Sequence, residues 1–147
     1  MKFSTKGRFA VRALVDIGLH AAEHPVTAKE ISERQGISIF YLEQLFSRLR
    51  KAGIIRGLRG PNGGYELARE PATITVLEAV EAAEGPVALA DCNNDDDLDQ
   101  ACPRRPNCVT SLLWGELAEQ LRELLAQVTL ADLLERHNRL EASSRES

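Results

Sequence analysis

The spacing of apolar residues in the first third of the chain predicts three helices, because side chains three and four positions apart share one helical face. The first helix is predicted from Ser4, which can cap it, to about Glu23. A short second helix follows the capping-box sequence T-A-K-E at Thr27 to Glu30 and ends at Gly36. The third spans Ser38 to Ala52. Two short helices joined by a tight turn are typical of a helix-turn-helix.

The third helix combines one apolar stripe with a polar remainder, the pattern of a helix that rests on a core and faces solvent on its other side. The stripe consists of Leu42, Leu45, Phe46 and Leu49. The residues expected on or near the outward face are Ser38, Phe40, Tyr41, Glu43, Gln44, Arg48 and Lys51. These are the side chains that a ligand of this helix would meet.

Residues 54–69, IIRGLRGPNGGYELAR, predict a β-hairpin, because two β-prone arms flank the turn sequence P-N-G-G. Asn62 and Gly63 are expected to adopt the positive φ angles that a tight hairpin turn demands. Arg59 lies just before the tip. A hairpin directly after a helix-turn-helix is a wing.

The second half of the chain is predicted to be helical on both sides of a loop. T-V-L-E at Thr75 to Glu78 is a second capping box and opens a helix that continues to about Glu84. A long helix begins near Val109, and Thr129 is expected to cap a last, short one. The long helix has a stripe suited to packing against another helix: Trp114, Leu117, Leu121, Leu124, Leu125 and Val128.

Charge is distributed unevenly along the chain. Residues 1–69 carry twelve Lys and Arg against six Asp and Glu, and residues 70–147 carry six against sixteen, so net charges of +6 and −10 give −4 overall. A basic half points to a polyanionic partner, and an acidic half argues against contact of that half with it. Together with the wing, this predicts a reader of double-stranded DNA, whose major groove, about 12 Å wide, admits one helix.

The predicted fold class is therefore mainly α with a small β wing. We expect a winged helix-turn-helix DNA-binding region over residues 1–84 and a cysteine-containing loop over residues 85–108. A dimerisation helix and a C-terminal helix are expected over residues 109–140, followed by a disordered tail over residues 141–147.

The predicted DNA contacts are the outward residues of the third helix together with Arg59. Gln44 can pair with adenine, Glu43 can accept a hydrogen bond from cytosine, and Phe40 can pack on a thymine methyl group. Arg59 can enter a narrow, electronegative minor groove. Taken singly, each residue fits a solvated surface equally well, and only the combination predicts DNA binding.

All three cysteines belong to one loop, as Cys92, Cys102 and Cys108, with the spacing C-x9-C-x5-C. In a reducing compartment, an odd number of clustered thiols favours metal ligation over disulfides. Three thiolates can anchor an iron-sulfur cluster, which usually takes four protein ligands. Zinc is an alternative, although the loop lacks the C-x2-C pair usual in structural zinc sites, and unreactive thiols are a third possibility.

Several other classes of protein are disfavoured. No segment approaches the roughly 18 apolar residues of a membrane span, and Arg12 and Asp16 interrupt any signal-peptide core, so a cytoplasmic protein with no membrane partner is expected. No nucleophile, base and orienting group occur together, so an enzyme is not expected. A small electron-transfer or cluster-carrier protein, and a winged-helix regulator whose cysteines sense nothing, stay open as alternatives.

Four segments carry a resemblance to a known family: KFSTKGRFAVRAL, ISERQGIS, YLEQLFSRLRKAG and RGPNGGYELAR. They resemble the IscR-like iron-sulfur cluster regulators of the Rrf2 family of bacterial repressors, and the match runs from Met1 to roughly His137. By position, the family's recognition residues fall on Ser38, Phe40, Glu43, Gln44 and Arg59. Phe40 stands where the IscR-like regulators have a serine.

The resemblance implies a homodimer that places its third helices and wings on a palindromic operator. It also implies an iron-sulfur cluster near the dimerisation helix, expected to be [2Fe–2S], with [4Fe–4S] as the alternative. The implied function is a cluster-dependent repressor of iron-sulfur biogenesis or related stress genes. A nitric-oxide-sensing or redox-sensing repressor of the same family is the alternative.

The cysteine loop departs from the family pattern. IscR-like proteins carry C-x5-C-x5-C with a histidine three residues on, whereas this chain has nine residues in the first gap and Ser111 at the histidine position. The fourth ligand is therefore unassigned. The nearest oxygen donors are Asp91, Asp95, Asp96, Asp97 and Asp99, and the histidines, His20, His24 and His137, are distant in sequence.

Overall fold

The computed structural model of the 147-residue chain describes residues 5–90 and 107–146. The elements are α1 (Thr5–His20), α2 (Ala28–Gln35), α3 (Ile39–Lys51), β1 (Ile55–Leu58), β2 (Gly64–Leu67), α4 (Val76–Glu84), α5 (Val109–Gln127) and α6 (Leu130–Glu146), with a 3-10 turn at Pro71–Thr73. Their order confirms the predicted fold class, mainly α with a two-stranded wing. Over the described ranges, no helix combines the length and hydrophobicity that crossing a membrane requires.

Local capping fixes where the helices of the first half begin and end. Both predicted capping boxes are present: Thr27 with Glu30 at the start of α2, and Thr75 with Glu78 at the start of α4. Each satisfies two backbone N–H groups that the first helical turn leaves unpaired. Gly36, at φ 68°, ends α2 in the left-handed conformation that glycine adopts without strain. The turn into α3 therefore follows from local sequence.

The core lies between α1, α3, α4 and the base of the wing. Its largest fully buried apolar side chains are Phe46, Leu14, Ile17, Ile31, Leu42, Leu49, Ile54, Ile55, Ile74 and Val26. The Phe46 ring packs against Tyr65 of β2, with 4.5 Å between ring centroids. Because Phe46 belongs to α3, this contact fixes the angle between that helix and the wing.

One charged side chain is part of this core. Asp16 of α1 is 1% exposed, and its carboxylate accepts hydrogen bonds from Arg34 Nε at 2.9 Å, Arg34 Nη2 at 2.7 Å and Gln35 Nε2 at 3.0 Å. Burial alone would raise the pKa of Asp16, but the hydrogen bonds from Arg34 and Gln35 and the charge of Arg34 outweigh it and hold that pKa below its ordinary value. The cluster fastens α2 to α1.

The wing is joined to the start of the helix-turn-helix. Strands β1 and β2 are antiparallel, with Ile55 opposite Leu67 and Leu58 opposite Gly64. Val26, which precedes α2, exchanges two backbone hydrogen bonds with Tyr65, at 2.9 and 2.7 Å. The hairpin is therefore held by backbone pairing as well as by the Tyr65 ring.

The turn at the tip of the wing differs from the predicted one. A hydrogen bond from Gly63 N to Gly60 O, 3.0 Å long, places Pro61 and Asn62 at the centre of the turn. Pro favours the first central position of a type I turn, in which both central residues have negative φ. The positive φ angles fall instead on Gly60 (107°) and Gly64 (154°), so the prediction for Asn62 and Gly63 was wrong.

The C-terminal helix is longer than predicted. Thr129 caps α6 as expected: its Oγ1 accepts from Asp132 N at 3.2 Å, and Asp132 Oδ2 accepts from Thr129 N at 2.9 Å. The helix then continues to Glu146, so the expectation of a disordered tail is wrong for residues 141–146. Residues 131–146 contain no Gly or Pro and many strong helix formers, and the helix therefore propagates once it is capped.

Candidate nucleic-acid interface

Helix α3 rests on the core with one face and presents the other to solvent. Leu42, Leu45, Phe46 and Leu49 are buried, as their spacing predicts. Of the DNA contacts predicted within this helix, those that are exposed are Phe40, Glu43, Gln44, Arg48 and Lys51. In helix-turn-helix proteins the N-terminal residues of the second helix reach the base edges. We therefore expect the first two turns of α3 to be the part of this surface that meets base edges.

Phe40, Glu43 and Gln44 are the side chains most available to bases. The side chain of Phe40 is 72% exposed. Glu43 and Gln44 are also exposed, and neither has a side-chain hydrogen bond or ion pair within the described residues. Phe40 and Gln44 are four positions apart and so are neighbours on one helical face. Their roles as DNA contacts stay predictions.

Two of the predicted contacts have partners inside the protein. Tyr41 is half-buried, and its ring meets the ring of Phe9 in α1 edge to face, with 5.6 Å between centroids. The Arg48 guanidinium donates from Nη1 to the carbonyl oxygen of Ala83, near the end of α4, at 2.5 Å. Both side chains therefore hold α3 in position, whether or not they also touch DNA.

The ends of α3 carry the two remaining predicted contacts of this helix. Ser38 is its N-cap, and the Ser38 Oγ accepts from the backbone N–H of Tyr41 at 3.2 Å. The hydroxyl proton of Ser38 can still be donated to a base or a phosphate. Lys51 is exposed in the last turn, where a cation also complements the helix dipole.

Arg59 is exposed on the loop at the tip of the wing. It has no ion pair within the part of the chain that the structure describes, whereas Arg56 is occupied by a cross-strand pair with Glu66. A cation at the end of a fixed hairpin suits insertion into a narrow minor groove, as the sequence predicts.

Lys6 belongs to the same surface and was missed by sequence reasoning. It is exposed in the first turn of α1 and lines a shallow depression with Tyr41, Gln44 and Arg48 of α3. A lysine beside α3 is placed to bind a phosphate of the DNA backbone. No local motif signals this role, because only the tertiary packing of α1 on α3 brings Lys6 there.

One of the three predicted cluster ligands lies within the described residues. Cys108 directly precedes α5 at its N-cap position, and its Sγ lies 3.0 Å from the Thr110 Oγ1. Ser111, in the first turn of the helix, is buried. Cys92 and Cys102 lie outside the described residues, as do the five aspartates named above. In residues 5–90 and 107–146, no group of three or more His, Cys, Asp and Glu is placed to hold a metal ion.

The fold is that of a winged helix-turn-helix DNA-binding protein. It has two helices joined by a tight turn, an attached hairpin, and an α3 whose outer face is exposed with cations beside it. The comparison with protein families specifies the class further. Residues 3–136 match the Rrf2 family, described as "Iron-dependent Transcriptional regulator". The chain therefore belongs to the Rrf2 family, and it is a transcriptional regulator of the IscR type rather than an enzyme.

The chain is similar to several named regulators. It is 40% identical over 146 residues to the transcriptional regulator IscR of Vibrio cholerae, an alignment covering 99% of this chain and 82% of the relative. The structure of T. potens IscR matches with a TM-score of 0.75 and 39% identity, covering 93% of this chain and 88% of that one. The structure of CymR, described as the global cysteine regulator of B. subtilis, matches with a TM-score of 0.72 and 32% identity, covering 92% of this chain and 98% of that one. These findings confirm the resemblance inferred from the sequence.

Proposed function

We propose that this regulator responds to an iron-sulfur cluster held by Cys92, Cys102 and Cys108, and that it controls genes of iron-sulfur biogenesis or a related stress response. It acts in the cytoplasm as a homodimeric repressor on a palindromic operator, with [2Fe–2S] as the expected cluster. The observation that carries the proposal is the position of Cys108, which is the last residue of the cysteine loop and the N-cap of α5. The "Iron-dependent" description of the family supports it.

The surroundings of Cys108 suit a thiolate ligand. The N-terminus of a helix favours negative charge, because its first N–H groups are unpaired and the helix dipole is positive there. The Thr110 hydroxyl, 3.0 Å from Sγ, can donate a hydrogen bond to a thiolate. A cluster bound here supplies an oxidant-sensitive group that holds three thiolates together. The fourth ligand stays unassigned, and buried Ser111 is an oxygen donor one turn away.

The end of α4 connects the cysteine loop with the recognition helix. Arg48 of α3 donates to Ala83 O, and the backbone N–H of Gly7 in α1 donates to Glu84 Oε1 at 2.7 Å. Helix α4 ends at Glu84, and the chain continues from Gly85 towards the loop. A rearrangement of the loop that moves this end therefore acts on both α3 and the start of α1. Such a rearrangement regulates transcription only if the two states differ in DNA affinity.

The exposed face of α5 supports the homodimer. Ser111 and Ala118 are the buried residues of this helix, and its large exposed apolar residues are Val109, Leu112, Leu113, Trp114, Leu117 and Leu124. A groove of about 490 Å³ runs beside them, lined by Leu121 and Leu125 of α5 and by residues of α1 and α4. Monomeric proteins rarely expose a continuous apolar surface of this kind. An isologous pair of α5 helices would cover it and set the distance between two recognition helices.

The deciding experiment uses anaerobically purified full-length protein, with visible absorption and Mössbauer spectra recorded before and after cluster removal. DNase footprinting and operator affinity are measured on the same two samples. We expect cysteine-dependent colour and an altered footprint, both lost when the three cysteines are replaced by alanine. Colourless protein with stoichiometric zinc would contradict the proposal, as would equal operator affinity in the two states. Exposing the same samples to nitric oxide tests the alternative signal.

A further inference from the structure

Consecutive aromatic residues at the start of α3 have opposite environments. Tyr41 is half-buried and stacks edge to face on Phe9, whereas Phe40 projects into solvent with 72% of its surface exposed. The N-terminal turn of a recognition helix is the part that enters the major groove. The ring of Phe40 therefore occupies a position that faces base edges in the DNA complex.

The neighbours of Phe40 on this face are polar. Glu43 is three positions and Gln44 four positions further on, so both lie beside Phe40 on the helix surface. These two can exchange hydrogen bonds with cytosine and adenine, but a phenyl ring can exchange none. In the major groove, the apolar group among the base edges is the C5-methyl of thymine. Apolar contact with this methyl group is the base-specific interaction that best matches a phenyl ring at this position.

We infer that Phe40 reads the C5-methyl group of one thymine in each half of the operator, and so determines specificity at that base pair. The inference rests on the proposed use of α3 as the recognition helix. It identifies the ligand of this position as a methyl group and not as the base-pairing edge. Uracil, which lacks the methyl, is then discriminated against, and 5-methylcytosine is favoured over cytosine at the same position.

The experiment begins with selection of an operator by the wild-type protein from a pool of randomised duplexes. Each thymine of that operator is then replaced singly by deoxyuridine, which removes the methyl and keeps the base pair, and Kd is measured by fluorescence anisotropy. We expect one thymine per half-site at which the replacement weakens binding about three- to fivefold, the effect of burying one methyl group. The Phe40→Ala variant should bind thymine and deoxyuridine equally at that position and keep its preferences elsewhere.

Leu140→Ala is the matched control, because Leu140 is 71% exposed on α6, away from the reading helix. It should retain the sensitivity of the wild type to deoxyuridine. Circular dichroism checks that Phe40→Ala is folded, as expected for an exposed side chain. The inference is wrong if the wild type selects an operator in which no thymine is sensitive to replacement, or if Phe40→Ala keeps that sensitivity. In either case the proposed function as a DNA-binding regulator is unaffected. If no duplex is selected, the proposed function itself fails.

Discussion

Replacing Asp16 by asparagine removes the charge that holds the helix-turn-helix against α1. The carboxylate is buried and accepts three hydrogen bonds, two from Arg34 and one from Gln35. Asparagine has nearly the same shape and keeps one acceptor oxygen, but it loses the ionic part of the interaction and turns a donor amide towards donor groups. We expect a folded protein of clearly reduced stability, in which α2 is less firmly placed.

The magnitude follows from burial on the two sides of the pair. Breaking a buried ion pair costs about 3–5 kcal/mol, and hydrogen bonds to charged groups contribute about 1.5–3 kcal/mol each. The Arg34 side chain is 33% exposed, so its guanidinium can regain water in the variant, which reduces the loss. We expect a decrease of about 2–3 kcal/mol in the free energy of unfolding. For a chain of this length that corresponds to a fall in Tm of about 5–10 °C.

The effect should also depend on pH in a defined direction. Because the pKa of Asp16 in the folded protein lies below its ordinary value of 3.8, folding favours the ionised form. The resulting stabilisation is fully present above the ordinary value and is lost as the pH falls through the folded-state pKa. Asparagine binds no proton in this range. The difference in Tm between wild type and Asp16→Asn should therefore be constant near neutrality and should narrow below about pH 4.

Thermal unfolding followed by circular dichroism, at one protein concentration and at several pH values, measures both effects. Glu135→Gln is the control, because Glu135 pairs with Arg139 on the exposed side of α6 and its loss should change stability by less than about 0.5 kcal/mol. The reasoning is wrong if the two variants lose equal amounts of unfolding free energy. It is also wrong if the Tm difference between wild type and Asp16→Asn widens at acidic pH.

Three further predictions concern the wing, the dimer and the DNA contacts. Gly64→Ala should destabilise the wing by more than about 1 kcal/mol, measured by chemical denaturation, because the new Cβ would lie 2.7 Å from the Val26 carbonyl oxygen at a φ of 154°. Leu124→Glu, on a side chain 62% exposed, should give monomers in sedimentation velocity without unfolding the chain. Arg59→Ala should weaken operator binding. The slope of log Kd against log salt concentration should also decrease by about one for each Arg lost.

The parts of the fold that the sequence predicts correctly are those encoded within one helical turn. The pairs Thr27 with Glu30 and Thr75 with Glu78 are three residues apart, and both form the predicted capping boxes. The apolar stripe of α3 is equally local, since its residues follow the helical period. Such features depend on short-range geometry and therefore need no knowledge of the tertiary structure.

Interactions between distant residues were beyond the same reasoning. Asp16 meets Arg34, 18 positions away, and Gly7 meets Glu84, 77 positions away. No periodicity links such positions, because their proximity is set by how whole helices pack. The prediction of the turn at Pro61 was wrong for a related reason. Several turn types are compatible with the same glycines, and the register of the two strands selects among them.

The candidate DNA contacts show where a pattern stops being informative. Periodicity identifies which side of α3 is not in the core, but it does not show whether a polar residue there extends to solvent or folds back. Arg48 folds back to Ala83, while Glu43 and Gln44 have no such partner within the described residues. Base specificity is therefore expected to rest on few side chains of α3, whereas Arg48 contributes to the position of the helix. Arg48 also contacts the end of α4. A displacement of that end is therefore expected to change the affinity for all operators, and not the sequence specificity.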